Sequence, residues 1–399
     1  MPVRIVLRFL KPLFPESLKR RCREFYWPPW CLPLLPGTSA RFGPARRWVS
    51  VAEYRRDYAL DYREVLPAQK IPAPDLTECA PVPRRFFSSL FSEVPPAGIL
   101  QLQQARLLGP DGWVIGADDS HLVQASYWAY PDATLNIRDH YQLRRRRAPP
   151  RRHLPGRTLS LASDFAVGGF GHFVHDSATR LLIVESAGID PASFDWIYWP
   201  HVESPVAEEI IRRSGLPRAK IVHHLEHKDF VCDSLTVTTF PGRPGHIAPV
   251  YANYLRQRFA PPASGKARRI YLSRAGFRRN FRNATDIDLL LAARGFEACS
   301  PHADVDLLAK CAAAEQVVAI EGANFFNVFS CAPGTKVLLI LPDSAHTRPF
   351  TITLALSAGL RLYVLPARSL DQPAVDPGIA DIHVDPAALR RALDLMDAA

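Results

Sequence analysis

The chain has no run of about 18 consecutive apolar residues, so no part of it has the length and hydrophobicity of a membrane-spanning helix. It also has no C-x-x-C pair. Its seven cysteines, Cys22, Cys31, Cys79, Cys232, Cys299, Cys311 and Cys331, are odd in number and far apart. That argues against a disulfide framework or a cysteine zinc site and fits a reducing compartment. Acidic residues are in deficit: 39 Asp and Glu face 49 Lys and Arg, a formal charge of +10. The excess suits anionic company, which could be nucleic acid, an anionic membrane surface or phosphorylated small molecules.

What is present suits a soluble globular protein. Hydrophobic residues make up 47% of the 399 and charged residues 22%, enough apolar area for a core, and the length favours two domains of about 150 to 200 residues each. The opening "MPVRIVLRFLKPLF" interleaves Arg4, Arg8 and Lys11 with apolar residues, interrupting the run that a secretory signal would need. At helical spacing it reads as a packed amphipathic segment or as one lying on an anionic membrane surface. Residues 1 to about 80 are too broken by proline for long helices and predict an irregular Pro/Arg-rich arm. Short β-like runs from about 97 to 140 predict a small meander. "RRRRAPPRRH", Arg144 to His153, holds six arginines in ten residues. It reads as a solvated loop or as an electrostatic patch, and without aromatic residues it does not resemble a single-strand binding platform.

Beyond it helix and strand alternate: a helix over Gly171 to Ala187, a strand at "DWIYW", a helix over Pro205 to Ser214, a strand at "AKIVHH" and a helix over Ile247 to Phe259. "APPASGK" reads as a linker. The alternation then sharpens, with strands at "RRIYLS", "FEACS", "QVVAI", "KVLLIL" and "RLYVL" separated by helices over Thr285 to Arg294, Val305 to Ala314, "GANFFNVFSC" and Phe350 to Ala358; a final helix spans Pro386 to Met396. The fold class is therefore α/β, with parallel sheets and a ligand cleft beyond the carboxyl ends of their strands.

Three segments carry chemistry. In "GGFGHFVHDSATRLLIV", steps of 100° per residue place His172, His175, Asp176, Thr179 and Arg180 within an arc of about 140°, opposite Phe173, Val174 and Leu181. This face meets either water, with an Asp176 and Arg180 ion pair, or a cleft. Gly168, Gly169 and Gly171 form a turn that exposes helix amides to an anionic or polar ligand. A histidine beside an aspartate makes a proton-accepting unit. Metal is the rival reading, drawing on His172 with Asp176, or on His223, His224 and His227. A zincin, however, would carry a second histidine where Asp176 stands. The second segment, "YLSRAGFRRNFRN", follows a strand and holds Arg274, Arg278, Arg279 and Arg282 ahead of Asn283, placed to grip phosphate or else simply exposed in a loop. The third, "VVAIEGANFFNVFSCAPGT", puts Gly322 at a strand-to-helix turn, with amides from Ala323 onward and Asn327 one turn in, suited to a pyrophosphate or nucleoside.

In this order the segments resemble glycosyltransferase family 61, the group that includes bacterial capsular polysaccharide biosynthesis proteins. His172, Asp176 and Arg180 match its histidine, aspartate and arginine. "YLSRAGFRRNFRN" and "RGFEACSP" match its Ser-Arg strand end and Gly-Phe turn; Gly322, Ala323, Asn327, Pro333, Gly334 and Thr335 match its last block. Many relatives carry a histidine where this chain has Glu321. The resemblance implies a GT-B-like fold of two Rossmann-like domains with a cleft between them, divided as an arm over 1–80, an acceptor-side domain over 81–262 and a donor domain over 263–399. It implies an inverting, metal-independent transferase that needs no cofactor and moves a sugar from a nucleotide-sugar donor to a saccharide or lipid-linked saccharide acceptor, in the cytoplasm or at the inner face of a membrane, with no nucleic-acid partner. Asp176 assisted by His172 is then the base. Gly169, Gly171, Arg180, Arg274, Arg278, Arg279, Asn283, Gly322, Ala323 and Asn327 bind substrate. The alternative is a protein of the same fold that binds a nucleotide sugar without transferring it.

Overall fold

A computed structural model describes residues 47–49, 62–88, 90–109, 111–118, 120–126, 151–223, 229–243, 245–263, 268–301, 304–343, 350–370 and 380–399. The opening amphipathic segment, "YWPPWCLPLLPG", Arg144 to Arg147, His224, His227, Arg4, Arg8, Lys11, Cys22, Cys31 and the last three residues of the "APPASGK" linker lie outside the described residues.

The first half supplies β1 (Arg47–Val49), β2 (Tyr62–Leu66), β3 (Gln69–Lys70), β4 (Leu76–Glu78), β5 (Glu93–Val94), β6 (Ala97–Leu108), β7 (Trp113–Ile115), β8 (Ser120–Leu122), β9 (Arg151–Ser160), β10 (Trp196–Tyr198), β11 (Ile221–Val222) and β12 (Asp229–Thr238). The second half supplies β13 (Arg268–Leu272), β14 (Phe296–Cys299), β15 (Ala314–Ile320), β16 (Lys336–Pro342), β17 (Arg361–Ser369) and β18 (Ile382–His383). Nine strands make one sheet in the order β1-β8-β7-β6-β12-β9-β10-β11, with β2 beside β6. Strands β12, β9, β10 and β11 run parallel, while β6 is antiparallel to β12, β7 and β2. This sheet is thus mixed, not doubly wound throughout, because the meander predicted over 97 to 140 joins the parallel block edge to edge.

The second sheet matches the expected pattern closely. Its order is β14-β13-β15-β16-β17-β18, parallel from β14 to β17. Strands such as β16, buried at six of seven positions, are covered on both faces and therefore read as continuous apolar runs. The chain leaves β13 to one side for β14 and to the other for β15, so the order reverses between β13 and β15. Ligands of doubly wound sheets bind at such a reversal, beyond the strands' carboxyl ends.

Two parts differ from expectation. The predicted irregular arm holds strands over its last residues: β2 joins the first sheet and β4 pairs in parallel with β17 of the second. The arginine-rich stretch, read as a loop, ends in β9, a central strand whose Arg151 is hydrogen bonded from Nε to Asp229 Oδ2 at 3.0 Å. One apolar core runs through both halves, including Phe173 and Trp199 from the first and Ile270, Leu272 and Phe325 from the second. Among the described residues no helix is long and apolar enough to cross a membrane.

Candidate active site

The chain leaves β9 through residues 161–169 and enters a helix that continues from Phe170 to Ser186. Its middle turn, Phe173–Ala178, is π-helical, the widened i→i+5 form that often marks functional positions. Smaller angular steps in a wide turn bring the neighbours His175 and Asp176 closer round the axis than 100° would. The Thr179 hydroxyl donates to the His175 carbonyl and the Ser177 hydroxyl to the Leu161 carbonyl, so side chains stabilise the irregular turn.

The polar arc predicted from sequence is there, but most of it is buried, and the Asp176 carboxylate pairs with two histidines and not with Arg180. Asp176 is 1% exposed and Arg180 1% exposed. Asp176 accepts from two imidazoles: His172 Nδ1 lies 2.7 Å from Oδ2, and His175 Nδ1 bonds Oδ1. Burial would raise this carboxyl, yet the two histidines outweigh burial and hold it down at about 2. Sequence reasoning gives Asp176 the proton of the acceptor; here both its oxygens are engaged, and a carboxylate held so low binds a proton weakly. His172 remains a third exposed and is the member of the trio that reaches solvent. His175 Nε2 is buried with no hydrogen-bond partner among the described residues, which marks a place where a polar group is wanted.

Arg180, expected among the substrate-binding residues, is instead a buried strut. It donates from Nε to the Asp176 carbonyl at 3.2 Å, from Nη1 to the Thr238 carbonyl and Oγ1 at 2.9 and 3.0 Å, and from Nη2 to the Ala125 carbonyl at 3.1 Å. It also lies over the Phe240 ring at 4.8 Å. Burial lowers its pKa to about 10, so it stays charged at neutral pH. Its work is to fix the helix to the end of β12.

The second sheet contributes its reversal point. Arg274 follows β13 and Gly322 follows β15. Gly322 has φ +139°, a backbone that favours glycine, and a Cβ there would lie 2.7 Å from Arg274 Nη1. Arg274 is held by the Arg278 carbonyl, which accepts from Nε at 3.1 Å and Nη2 at 2.8 Å. Burial first, and then neighbouring Arg279, lower its pKa to about 10. Arg279 has φ +58° and its Nη1 donates to the Glu321 carbonyl at 3.0 Å and to the Glu321 carboxylate. Burial raises the Glu321 pKa, while Arg279 and Arg274 draw it back. Glu321 therefore anchors Arg279 through both its carbonyl and its carboxylate. Arg278 is exposed at the rim.

The helix after Gly322, Ala323–Ser330, is a 3-10 helix, tighter than the expected α form. Its polar side chains fall every third residue: Asn327 Nδ2 donates to the Asn324 carbonyl at 2.8 Å and Ser330 Oγ to the Asn327 carbonyl at 3.1 Å, a spacing that favours i→i+3 closure. Asn324 Nδ2 donates to the Ser273 carbonyl at 2.7 Å and so ties the two strand ends together. Asn327 Oδ1 is buried without a partner among the described residues. Ala323 is exposed at the mouth of the turn. Asn283 lies elsewhere: its amide donates to the Val384 carbonyl at 2.8 Å and pins the strand before the final helix.

Phe326 joins the halves. A Cβ on Gly171 would lie 2.9 Å from the Phe326 ring, and His175 meets the same ring edge-on with centroids 6.0 Å apart. Gly171 is therefore a packing glycine, letting the helix that carries His172 touch the helix that begins at Gly322. Gly169 is likewise tight, since a Cβ there would collide with the Phe165 carbonyl oxygen. Sequence reasoning missed Phe326, Asn324 and the carboxylate-binding role of His175; the only signal was a Phe-Phe pair beside an asparagine. Of the histidine cluster, His223 Nδ1 is bonded to the Trp199 carbonyl at 2.9 Å. Among the described residues no group of three or more His, Cys, Asp or Glu side chains is arranged to hold a metal ion.

Compared with known families, residues 170–338 match the family model described as Glycosyltransferase 61. The matched region starts at the helix that carries His172 and Asp176 and ends within β16, so it takes in both halves of the site. The match supports a glycosyltransferase role, with a sugar donor and an acceptor as substrates. No curated protein matches the chain.

Proposed function

We propose that this chain is an inverting glycosyltransferase that moves a sugar from a nucleotide-sugar donor to a hydroxyl acceptor in the building of a capsular or other surface polysaccharide. The observation that carries the reading is the contact of Phe326 with both Gly171 and His175. It brings a histidine and carboxylate unit on one half against the helix that opens at the arginine-lined turn of the other.

In this reading His172 takes the proton of the attacking hydroxyl. Asp176 accepts from its Nδ1, which fixes the ring's orientation and tautomer, assigns the proton chemistry to Nε2 and stabilises the imidazolium that forms. Arg274, with Arg279 held by Glu321 and the amides after Gly322, opposes the charge that grows on the leaving diphosphate as the anomeric bond breaks. Arginine charge thus stands where many transferases place a divalent ion. Acceptor attack and diphosphate departure on opposite faces of the anomeric carbon would invert its configuration. The cytoplasm, or the inner face of a membrane, is where nucleotide sugars would meet such an enzyme.

The test is transfer from a panel of nucleotide sugars, read as nucleotide release. His172→Ala should lower kcat by about a hundredfold or more while leaving the fold intact, as expected for loss of a general base. Arg274→Ala should mainly weaken donor binding. Retention of more than about a third of wild-type kcat by His172→Ala would remove the base assignment. A protein that binds nucleotide sugars, with raised Tm, but never releases nucleotide would favour the binding-only alternative.

A further inference from the structure

Phe165 has φ +62°, a left-handed backbone that bulky residues rarely adopt and that persists where the surroundings impose it. It is also 38% exposed, whereas its neighbours Asp164 and Ala166 are fully buried. The loop is built to hold it out. The Phe165 N–H donates to Asp111 Oδ1 at 3.2 Å, and Asp111 is itself 3% exposed. Asp164 Oδ1 accepts from the Trp113 indole at 3.4 Å, and the Ala166 N–H from the loop's far side donates to the Ser163 carbonyl at 3.2 Å. Gly169 lets the next turn close over the Phe165 carbonyl. The ring thus displayed lies beside His172, with centroids 5.7 Å apart and planes tilted by 44°.

We infer that Phe165 is the stacking platform of the acceptor subsite, taking the apolar C–H face of a pyranose ring so that one of its hydroxyls meets His172. This rests on the glycosyl-transfer reading above. The chemistry follows from the ring: an aromatic face carries partial negative charge and attracts the partially positive C–H groups of a sugar, in a geometry set by the ring plane. A bulky residue held in a left-handed backbone and left 38% exposed beside His172 is placed where a ligand can meet its ring. Its place beside His172, the proposed base for the acceptor hydroxyl, assigns it to acceptor rather than donor.

The experiment uses the full chain and measures nucleotide release from a nucleotide-sugar panel against rising concentrations of methyl glycosides of common hexoses and pentoses. Two variants are compared with wild type. Phe165→Gly removes the ring while relieving the backbone, and Phe165→Tyr keeps the ring. The expected result is an acceptor KM raised about tenfold or more in Phe165→Gly, equivalent to the loss of one stacked ring. Donor KM should stay within about twofold and Tm should be held or raised, while Phe165→Tyr keeps acceptor KM within about threefold. Acceptor KM unchanged in Phe165→Gly overturns the inference and leaves the transferase reading standing. A fall in Tm with donor and acceptor KM rising together also overturns it, since that is the behaviour of a packing residue. No nucleotide release by wild type with any donor and glycoside overturns both readings.

Discussion

Asp176 shows how much a residue's chemistry depends on what touches it. Alone it is an ordinary carboxylate; between His172 and His175 it is a buried anion with both oxygens engaged. Asp176→Asn keeps the shape but cannot accept from both imidazoles, so transfer should fall by about two to four orders of magnitude in kcat while donor KM changes little. The same residue sets an acid limit. Its folded pKa of about 2 lies below its unfolded value near 4, so its contribution to stability is present above about pH 4 and is lost as pH falls through 2. Urea melts at pH 5, 4 and 3 should therefore show wild type losing more stability than Asp176→Asn, and equal losses would contradict the buried ion. Arg180 makes a different prediction. Arg180→Met removes the donor that reaches the buried carbonyls of Asp176, Thr238 and Ala125, which should cost about 3 kcal/mol or more. Lysine should not restore it, because the planar fork reaches several acceptors at once. Denaturant titration of both variants checks this.

At the scale of elements, the site depends on two helices that depart from the α form. A wide turn in one presents His172 and His175 to a single carboxylate, and a tight 3-10 helix in the other follows directly on Gly322. Gly322→Ala would force a side chain into a left-handed backbone and against Arg274. We expect a loss of about 1 to 3 kcal/mol in stability together with weaker donor binding, measured as Tm and as donor KM. Full stability with normal KM would show that Arg274 does not depend on this turn. The helix face was legible in the sequence, since glycines, histidines and an aspartate stood at helical spacing, and so were the strand ends that carry Arg274 and Gly322. What periodicity could not supply was the change of pitch and the burial: Arg180 looked like a surface partner of Asp176 and is a strut. The pairing of β9 was hidden by Pro155 and Gly156 within it, and that of β12 by polar residues and a bulge between Cys232 and Ser234.

At the scale of the molecule, β4 on β17 and the shared core join the halves into one unit. Thermal unfolding should therefore be a single transition, and removal of residues 1–80 should lower Tm markedly by stripping β2 and β4 from both sheets; two resolved transitions in calorimetry would contradict the shared core. The sequence by itself determined the α/β class, the parallel strands of the second sheet and the residues from which a site could be drawn, because apolar runs of strand length and glycine turns are local signals. Only the tertiary structure decided which of those residues meet. Helical spacing already set Asp176 beside His172 and His175, but the burial of Arg180 against Thr238, the hold of Glu321 on Arg279 and that of Asp111 on Phe165 depend on partners about 40 to 60 residues away in the chain, about which local spacing carries no information.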